Sequence, residues 1–148
     1  MEKFEHIGRN IMITDKYFKL YLRDALSPYG LNASEGVVLL MLYHSAVASK
    51  STQEDLIRRI HYDKGVMTRT MKELEQKGFV VREPNPTDSR SYLFSLTEEG
   101  TALKEPLFDV LRRWNERLLD GIDAKDLETV KIVLGKMAQN ACDVAAAE

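Results

Sequence analysis

The sequence predicts a mainly α-helical chain with one small antiparallel β-ribbon between its fourth and fifth helices. Three observations predict it. Apolar residues recur at spacings of three, four and seven along most of the chain, the period of a helix with one buried face. Cap residues and glycine stops divide that pattern into separate helices. Two short apolar runs, Phe79-Val80-Val81 and Tyr92-Leu93-Phe94, flank the stretch PNPTDSRSY, Pro84 to Tyr92. Its Pro, Asn and Asp content reads as a loop between strands.

The elements follow in order. Phe4, Ile7, Ile11, Phe18, Leu22 and Ala25 form one stripe on a long first helix, ended by Pro28 and Gly30. Asn32 stands three residues before Glu35, the reach of a capping box, and starts a second helix over about residues 32–47. Ser45 to Ser51 reads as a connector. Ser51 or Thr52 caps a short third helix whose acids, Glu54 and Asp55, sit at its positive dipole end. Leu56, Ile57 and Ile60 are its buried side, and it stops around His61-Tyr62. Asp63 caps a fourth helix with Met67, Met71 and Leu74 buried, and Gly78 ends it. The two strands come next. Thr97 caps a fifth helix carrying Leu103, Leu107, Leu111, Trp114, Leu118 and Ile122, with Pro106 predicting a kink or a late start. Asp123 caps a sixth, with Leu127, Val130, Leu134, Met137 and Ala141 on one side.

Two short adjacent helices joined by a tight turn, then a two-stranded ribbon, make a winged helix-turn-helix. The chain is read as one domain, residues 1–148, with the winged lobe at 32–97. The helices at 1–30 and 98–148 carry apolar stripes that need burial, and a second copy of the chain is the economical cover.

Composition narrows the function. A 44% hydrophobic and 30% charged chain suits an ordinary globular domain, and no apolar run nears the roughly 20 residues needed to span a bilayer. The N-terminus lacks an apolar signal core, and the only cysteine is Cys142. A cytoplasmic protein with no membrane partner, no intrachain disulfide and no multi-cysteine metal site is expected. His6, His44 and His61 are far apart and have no ligand partner at metal spacing, so no metal or cofactor is expected. No convergent catalytic set presents itself, and an enzyme is not expected. The net charge of −2 is unevenly spread. Residues 50–95 hold nine bases against seven acids, +2, and residues 97–148 hold seven against eleven, −4. That is a mild sign of a local anionic partner.

The fourth helix is the place for such a partner. Its outward face holds Lys64, Gly65, Thr68, Arg69 and Lys72. Small groups, hydroxyls and cations near a helix N-terminus suit entry into a DNA major groove. The plainer reading is a solvated face with i,i+4 pairing such as Arg69 with Glu73. The helix-turn-helix context favours the first.

From Thr52 onward the chain resembles the multiple-antibiotic-resistance regulator (MarR) family of winged-helix transcription factors. The likeness is carried by TQEDLIRRI, MTRTMKELEQKGFVVRE, TDSR and LTEEG, in fixed order over about 50 residues. The resemblance implies a homodimer built on the first, fifth and sixth helices, a DNA-reading fourth helix, and a wing whose arginine enters the minor groove. Carried over, Lys64, Val66, Thr68 and Arg69 fall at DNA-contact positions, and Asp88 and Arg90 on the wing motif. Gly65 replaces a small hydroxyl residue, and Ser89 stands where many members carry a second cation. Asp88 is expected to hold the loop and Arg90 to reach for DNA. Some members sense peroxide through a cysteine near the N-terminus, which this chain lacks. Many bind small aromatic acids or phenols in a crevice beside the DNA lobe. Tyr17, Tyr21, Met41, His44 and Trp114 fall on the matching helices; the plainer reading is ordinary core and interface residues. The expected function is therefore a homodimeric, sequence-specific regulator of transcription. It would bind double-stranded DNA at a pseudo-palindromic operator, act as a repressor, and be released by an aromatic or phenolic effector. The alternative is a winged helix used for protein–protein contact, without an operator.

Overall fold

Short-range signals account for most helix boundaries. The computed structural model describes residues 2–44 and 50–147, with side chains from residue 6 onward. Helix α1 runs Glu2–Leu26 and passes into a 3₁₀ turn, Ser27–Tyr29. Gly30 closes that turn at φ 70°, a left-handed conformation that glycine adopts without steric cost. The Phe4 side chain lies outside the described residues. Helix α2, Ala33–Tyr43, starts on the expected capping box: Asn32 Oδ1 accepts from the Glu35 N–H at 2.8 Å, and the Asn32 N–H returns to Glu35 Oε1 at 3.3 Å. Its expected extension over 45–47 lies outside the described residues.

The connector expected up to Ser51 ends instead in a short strand. Strand β1, Ser51–Thr52, pairs antiparallel with the ribbon. The sheet therefore has three strands in the order β1-β3-β2, not two. Two residues are too short to show a period-2 pattern, so this strand was invisible before pairing.

Thr52 caps α3, Gln53–Ile60. Its Oγ1 accepts from the Asp55 N–H, and its own N–H donates to Asp55 Oδ2 at 3.2 Å. These bonds to Thr52 hold the Asp55 carboxyl below the usual carboxylate range. A lowered carboxylate pKa stabilises the fold above the unfolded value, near 3.9, and that contribution is lost as pH falls through the folded value. Asp55→Ala is accordingly expected to cost about 1 kcal/mol at neutral pH. Urea unfolding should show the gap to wild type narrowing as pH falls below the unfolded value, near 3.9, and through the lower folded one; a gap that does not change with pH would refute the cap assignment.

His61 ends α3 at φ 62°, and Asp63 leads into α4, Lys64–Gln76. Asp63 holds the N-cap position in extended backbone, but without the side-chain cap bond expected of it. Met67, Met71 and Leu74 are buried on α4 as the spacing predicts, and Thr70 joins them. They pack into one core with Leu22 and Leu26 of α1, Val38 and Leu39 of α2, and Leu56 of α3. Gly78 follows at φ 80°.

Strands β2, Val80–Asn85, and β3, Asp88–Leu96, form the wing. Most of the stretch expected as a loop is strand: Pro84 pairs with Tyr92, and Asn85 with Asp88. The turn itself is Pro86-Thr87. A register shift at Pro84/Asn85 places three extra residues on β3, so Ser89, Arg90 and Ser91 bulge from a strand.

The single fifth helix is replaced by two, α5, Glu98–Ala102, and α6, Lys104–Leu118. Proline has no N–H to give Ala102, so the helix restarts at Lys104 and Pro106 falls in its first turn. The LTEEG motif has a packing reason here. Thr97 Oγ1 donates to Gly78 O at 2.6 Å and accepts from the Gly100 N–H at 3.0 Å. Tyr43 Oη donates to Gly100 O at 2.6 Å, and burial raises that phenol to about 12. A Cβ on Gly100 would stand 2.1 Å from Phe79 O, a backbone atom that has little freedom to retreat. Gly100→Ala is expected to cost about 3 kcal/mol, the upper range for overpacking. An unchanged denaturation midpoint would show that the helix can shift instead.

The described chain divides into two compact units, one through Arg112 and one from Arg113. The second holds the end of α6 and α7, Ala124–Ala147. On α7, Leu127 and Met137 are half-buried, while Val130 and Leu134 are exposed. No helix among the described residues is long and apolar enough to cross a membrane.

Candidate nucleic-acid interface

Helix α4 presents one stripe and the wing a second. Lys64, Gly65, Thr68, Arg69 and Lys72 are exposed on α4, opposite its buried methionines, and Val66 is half-buried beside them. The bend after α3 places the N-terminal turn of α4 outward, where its backbone N–H groups favour an anion. A Cβ on Gly65 would meet nothing within 4 Å. Packing does not require the glycine, and its effect is to leave that turn without a side chain.

Ion pairing sorts the cations that the sequence merely counted. Arg58 pairs with Asp55, Lys50 with Glu83, Arg82 with Glu75 at 3.2 Å, and Lys77 with Glu35 at 2.7 Å. Among the described residues, Lys64, Arg69, Lys72 and Arg90 form no salt bridge. The segment's small net charge is therefore unevenly placed, with Lys64, Arg69 and Lys72 sharing one exposed face of α4 and Arg90 exposed on the wing. The suggested Arg69–Glu73 pair does not form; Glu73 accepts instead from Asn32 Nδ2 at 3.4 Å.

The wing is braced from both ends. Asp88 Oδ1 accepts from the Arg90 N–H at 2.9 Å, which directs the carboxylate inward to its own turn. Asn85 Oδ1 accepts from the Thr87 N–H and hydroxyl, while Asn85 Nδ2 donates to Ser91 Oγ at 2.9 Å. At the base of the wing Arg82 lies over the Tyr92 ring, 4.5 Å from its centroid, while holding Glu75 of α4. One guanidinium thus ties the ribbon to α4 through an ion pair and a cation–π contact. The Asp88 carboxylate thus bonds within its own loop. The tie through Arg82 has no sequence signal, because its partners are seven and ten residues away.

Beside α4 lies a cleft of about 220 Å³ lined by Gln53, Thr68, Met71, Lys72, Glu75, Arg82 and Phe94. Gln53 Nε2 donates to Thr68 Oγ1 at 2.8 Å, and the Thr68 hydroxyl donates to Lys64 O at 2.8 Å. Sequence reading missed Gln53. The residue after a cap has no periodic signature, and only the angle between α3 and α4 brings it to Thr68.

The five aromatic and polar candidates for a small ligand are placed separately. Tyr21 Oη donates to Val110 O at 2.9 Å, and His44 lies against Phe108 with ring centroids 5.4 Å apart, so both meet α6. Met41 is half-buried and its carbonyl accepts from Arg59 at 3.0 Å. Tyr17 is exposed one turn before Tyr21, and Trp114 belongs to the second unit. A second cleft, of about 540 Å³, is lined instead by Asp15, Lys16, Lys19, Leu20 and Arg23 of α1 with Ala33 of α2. Asp15 pairs with Lys19 there at 2.7 Å and raises its pKa, chiefly through that hydrogen bond. Among the described residues no cluster of metal-ligating side chains forms.

Comparison with known proteins agrees with this geometry. A family model described as MarR family matches residues 29–91. The HTH-type transcriptional regulator SarZ of Staphylococcus aureus is 32% identical over 113 residues, covering 76% of this chain and 72% of SarZ. A crystal structure of a MarR transcriptional regulator from Methanosarcina mazei Go1 superposes with a TM-score of 0.85 at 28% identity, over 95% of this chain and 99% of that one. A mutant of Escherichia coli MarR, solved complexed with operator DNA, superposes with a TM-score of 0.79 at 28% identity, over 91% and 95% of the two chains. These relatives, together with the winged lobe, establish that the chain belongs to the MarR family of transcriptional regulators, a family of non-enzymes.

Proposed function

We propose that the protein is a homodimeric repressor that reads a pseudo-palindromic operator in double-stranded DNA and is released by a small aromatic or phenolic effector. The observation that carries DNA reading is the set of unpaired cations. Among the described residues, Lys64, Arg69 and Lys72 on α4 and Arg90 on the wing form no salt bridge, while Lys50, Arg58, Lys77 and Arg82 are paired. Exposed α4 then lies in the major groove, with Thr68 and Arg69 at base edges, Val66 at their flank, and Lys64 and Lys72 on phosphate. The open backbone at Gly65 allows close approach. Arg90 enters the adjacent minor groove from a hairpin that Asp88 holds in shape.

Exposed apolar surface supports the dimer. In the first unit Ile7, Ile11 and Met12 of α1 are 47%, 45% and 73% exposed; in the second, Val130, Val133 and Leu134 are 42%, 46% and 48% exposed. A stripe of that kind on a lone chain is costly in water, and a second copy covers it with two-fold symmetry. Two α4 helices would then sit roughly 34–36 Å apart on successive major grooves. For the effector, the α1 cleft offers Lys16, Lys19 and Arg23 to a carboxylate or phenolate, and Tyr17, Tyr21, Met41 and His44 are the second choice. Binding there acts by favouring one spacing of the two lobes.

Selection on random duplex DNA tests the reading. A palindromic consensus with half-sites about 10 base pairs apart supports it. Weak binding without sequence preference, even at low salt, would favour the alternative of a protein–protein module.

A further inference from the structure

The Gln53–Thr68 contact is a hydrogen-bond relay with a defined direction. A threonine hydroxyl has one proton and two acceptor lone pairs. Thr68 spends its proton on Lys64 O, 2.8 Å away on the preceding turn of its own helix. The atom of Gln53 facing it must then be a donor, and Nε2 lies at 2.8 Å. The two bonds close the relay: Thr68 gives to the backbone and receives from Gln53. Its hydroxyl is left with one lone pair and no proton to offer outward. Thr68 is exposed and Gln53 half-buried, at the edge of the cleft beside α4, so the relay sits at the surface and not in the core.

We propose that Gln53 is a specificity-positioning residue, which makes Thr68 an acceptor-only group on the reading face of α4. The inference rests on the reading of α4 as the DNA-reading helix, and it adds a selection rule. A free threonine hydroxyl serves either sign of hydrogen bond and discriminates little. Held by Gln53 in the rotamer that gives its proton to Lys64 O, Thr68 matches a base edge that donates, the N6 amino group of adenine or the N4 amino group of cytosine. It rejects an edge that only accepts, such as O6 and N7 of guanine or O4 of thymine. Gln53 does not need to touch the base to exert this effect. Without it, the Thr68 side chain can turn about χ1 to a rotamer that leaves Lys64 O; its proton then becomes available to an acceptor on DNA, and the preference relaxes.

The test is sequence selection with wild type, Gln53→Ala, Thr68→Val and the double variant, each checked for an unchanged melting temperature. Wild type is expected to prefer an amino-bearing base at one position of each half-site. Gln53→Ala should weaken that preference about tenfold, with the other positions and the salt dependence unchanged. Thr68→Val should weaken it at the same position, and the double variant should match Thr68→Val because the two residues act as one unit. A uniform loss across all sequences would overturn the proposal and make Gln53 a phosphate contact. Additive losses, or losses at two different positions, would overturn it as well. A wild type that selects nothing would take down the DNA-reading function itself and this rule with it. A wild type that selects normally while Gln53→Ala keeps the full preference would remove this rule alone.

Discussion

Lys77→Ala is expected to destabilise the protein by about 2–3 kcal/mol, more than any other exchange of a charged side chain here. Glu35 is fully buried, at 0% exposure. Lys77 Nζ meets its two carboxylate oxygens at 2.8 and 2.7 Å and Gly30 O at 2.9 Å. Once the ammonium is gone, the Asn32 N–H at 3.3 Å is the remaining hydrogen-bond donor to that carboxylate among the described residues. A charge taken out of water without a partner carries a large desolvation cost. The figure sits at the low end for a broken buried pair because the Lys77 side chain is itself 39% exposed. Glu35→Gln should cost less, about 1 kcal/mol, since it removes the buried charge, keeps one oxygen to accept from the Asn32 N–H, and lets the part-exposed Lys77 turn to water. Chemical denaturation of the two variants checks this ordering. Equal losses would mean that the pair contributes packing and not charge compensation. The bridge also joins the C-cap of α4 to the first turn of α2 and the turn before it, so it sets the far end of the reading helix.

Arg90→Ala is expected to weaken operator binding by about 1–3 kcal/mol, roughly five- to 150-fold, with reduced preference for A/T-rich flanks. Ser89 leaves Arg90 as the lone cation of the TDSR motif, so no neighbour in that motif replaces it. The minor groove narrows and gains negative potential in A-tracts, which is where a single arginine gains most. The loss should therefore depend on flanking sequence. Lys72→Ala gives the contrasting signature, a uniform loss and a salt slope shallower by about one, if Lys72 neutralises one phosphate. Gel-shift titrations at several salt concentrations separate the two. Unchanged affinity for Arg90→Ala at fixed salt would show that the wing does not reach DNA.

Much of the candidate interface was legible before folding, and the reason is the range of the forces. The Asn32–Glu35 and Thr52–Asp55 boxes, the Met67–Met71–Leu74 stripe and the Gly78 stop are all decided within one or two helical turns. The Asp88–Arg90 turn is equally local, a carboxylate closing on a backbone N–H two residues on. Residues such as Lys64, Thr68 and Arg69 could be placed on one outward face because helical period alone puts them there.

Long-range pairing decided the remainder. Strand β1 exists because Ser51 and Thr52 lie beside Phe94 and Leu93, some forty residues later. The stretch from Pro84 to Tyr92 is mostly strand because Pro84 and Asn85 pair across to Tyr92 and Asp88, although its composition is that of a loop. Which cations stay free also depended on distant partners: Glu35 for Lys77, Glu83 for Lys50, Glu75 for Arg82. The sequence by itself determined the helices, the winged lobe and the face that points outward, since caps, period and turns act over a few residues. Only the tertiary structure decided the state of that face, because the Gln53–Thr68 relay and the ion pairs form across elements whose approach no local rule specifies.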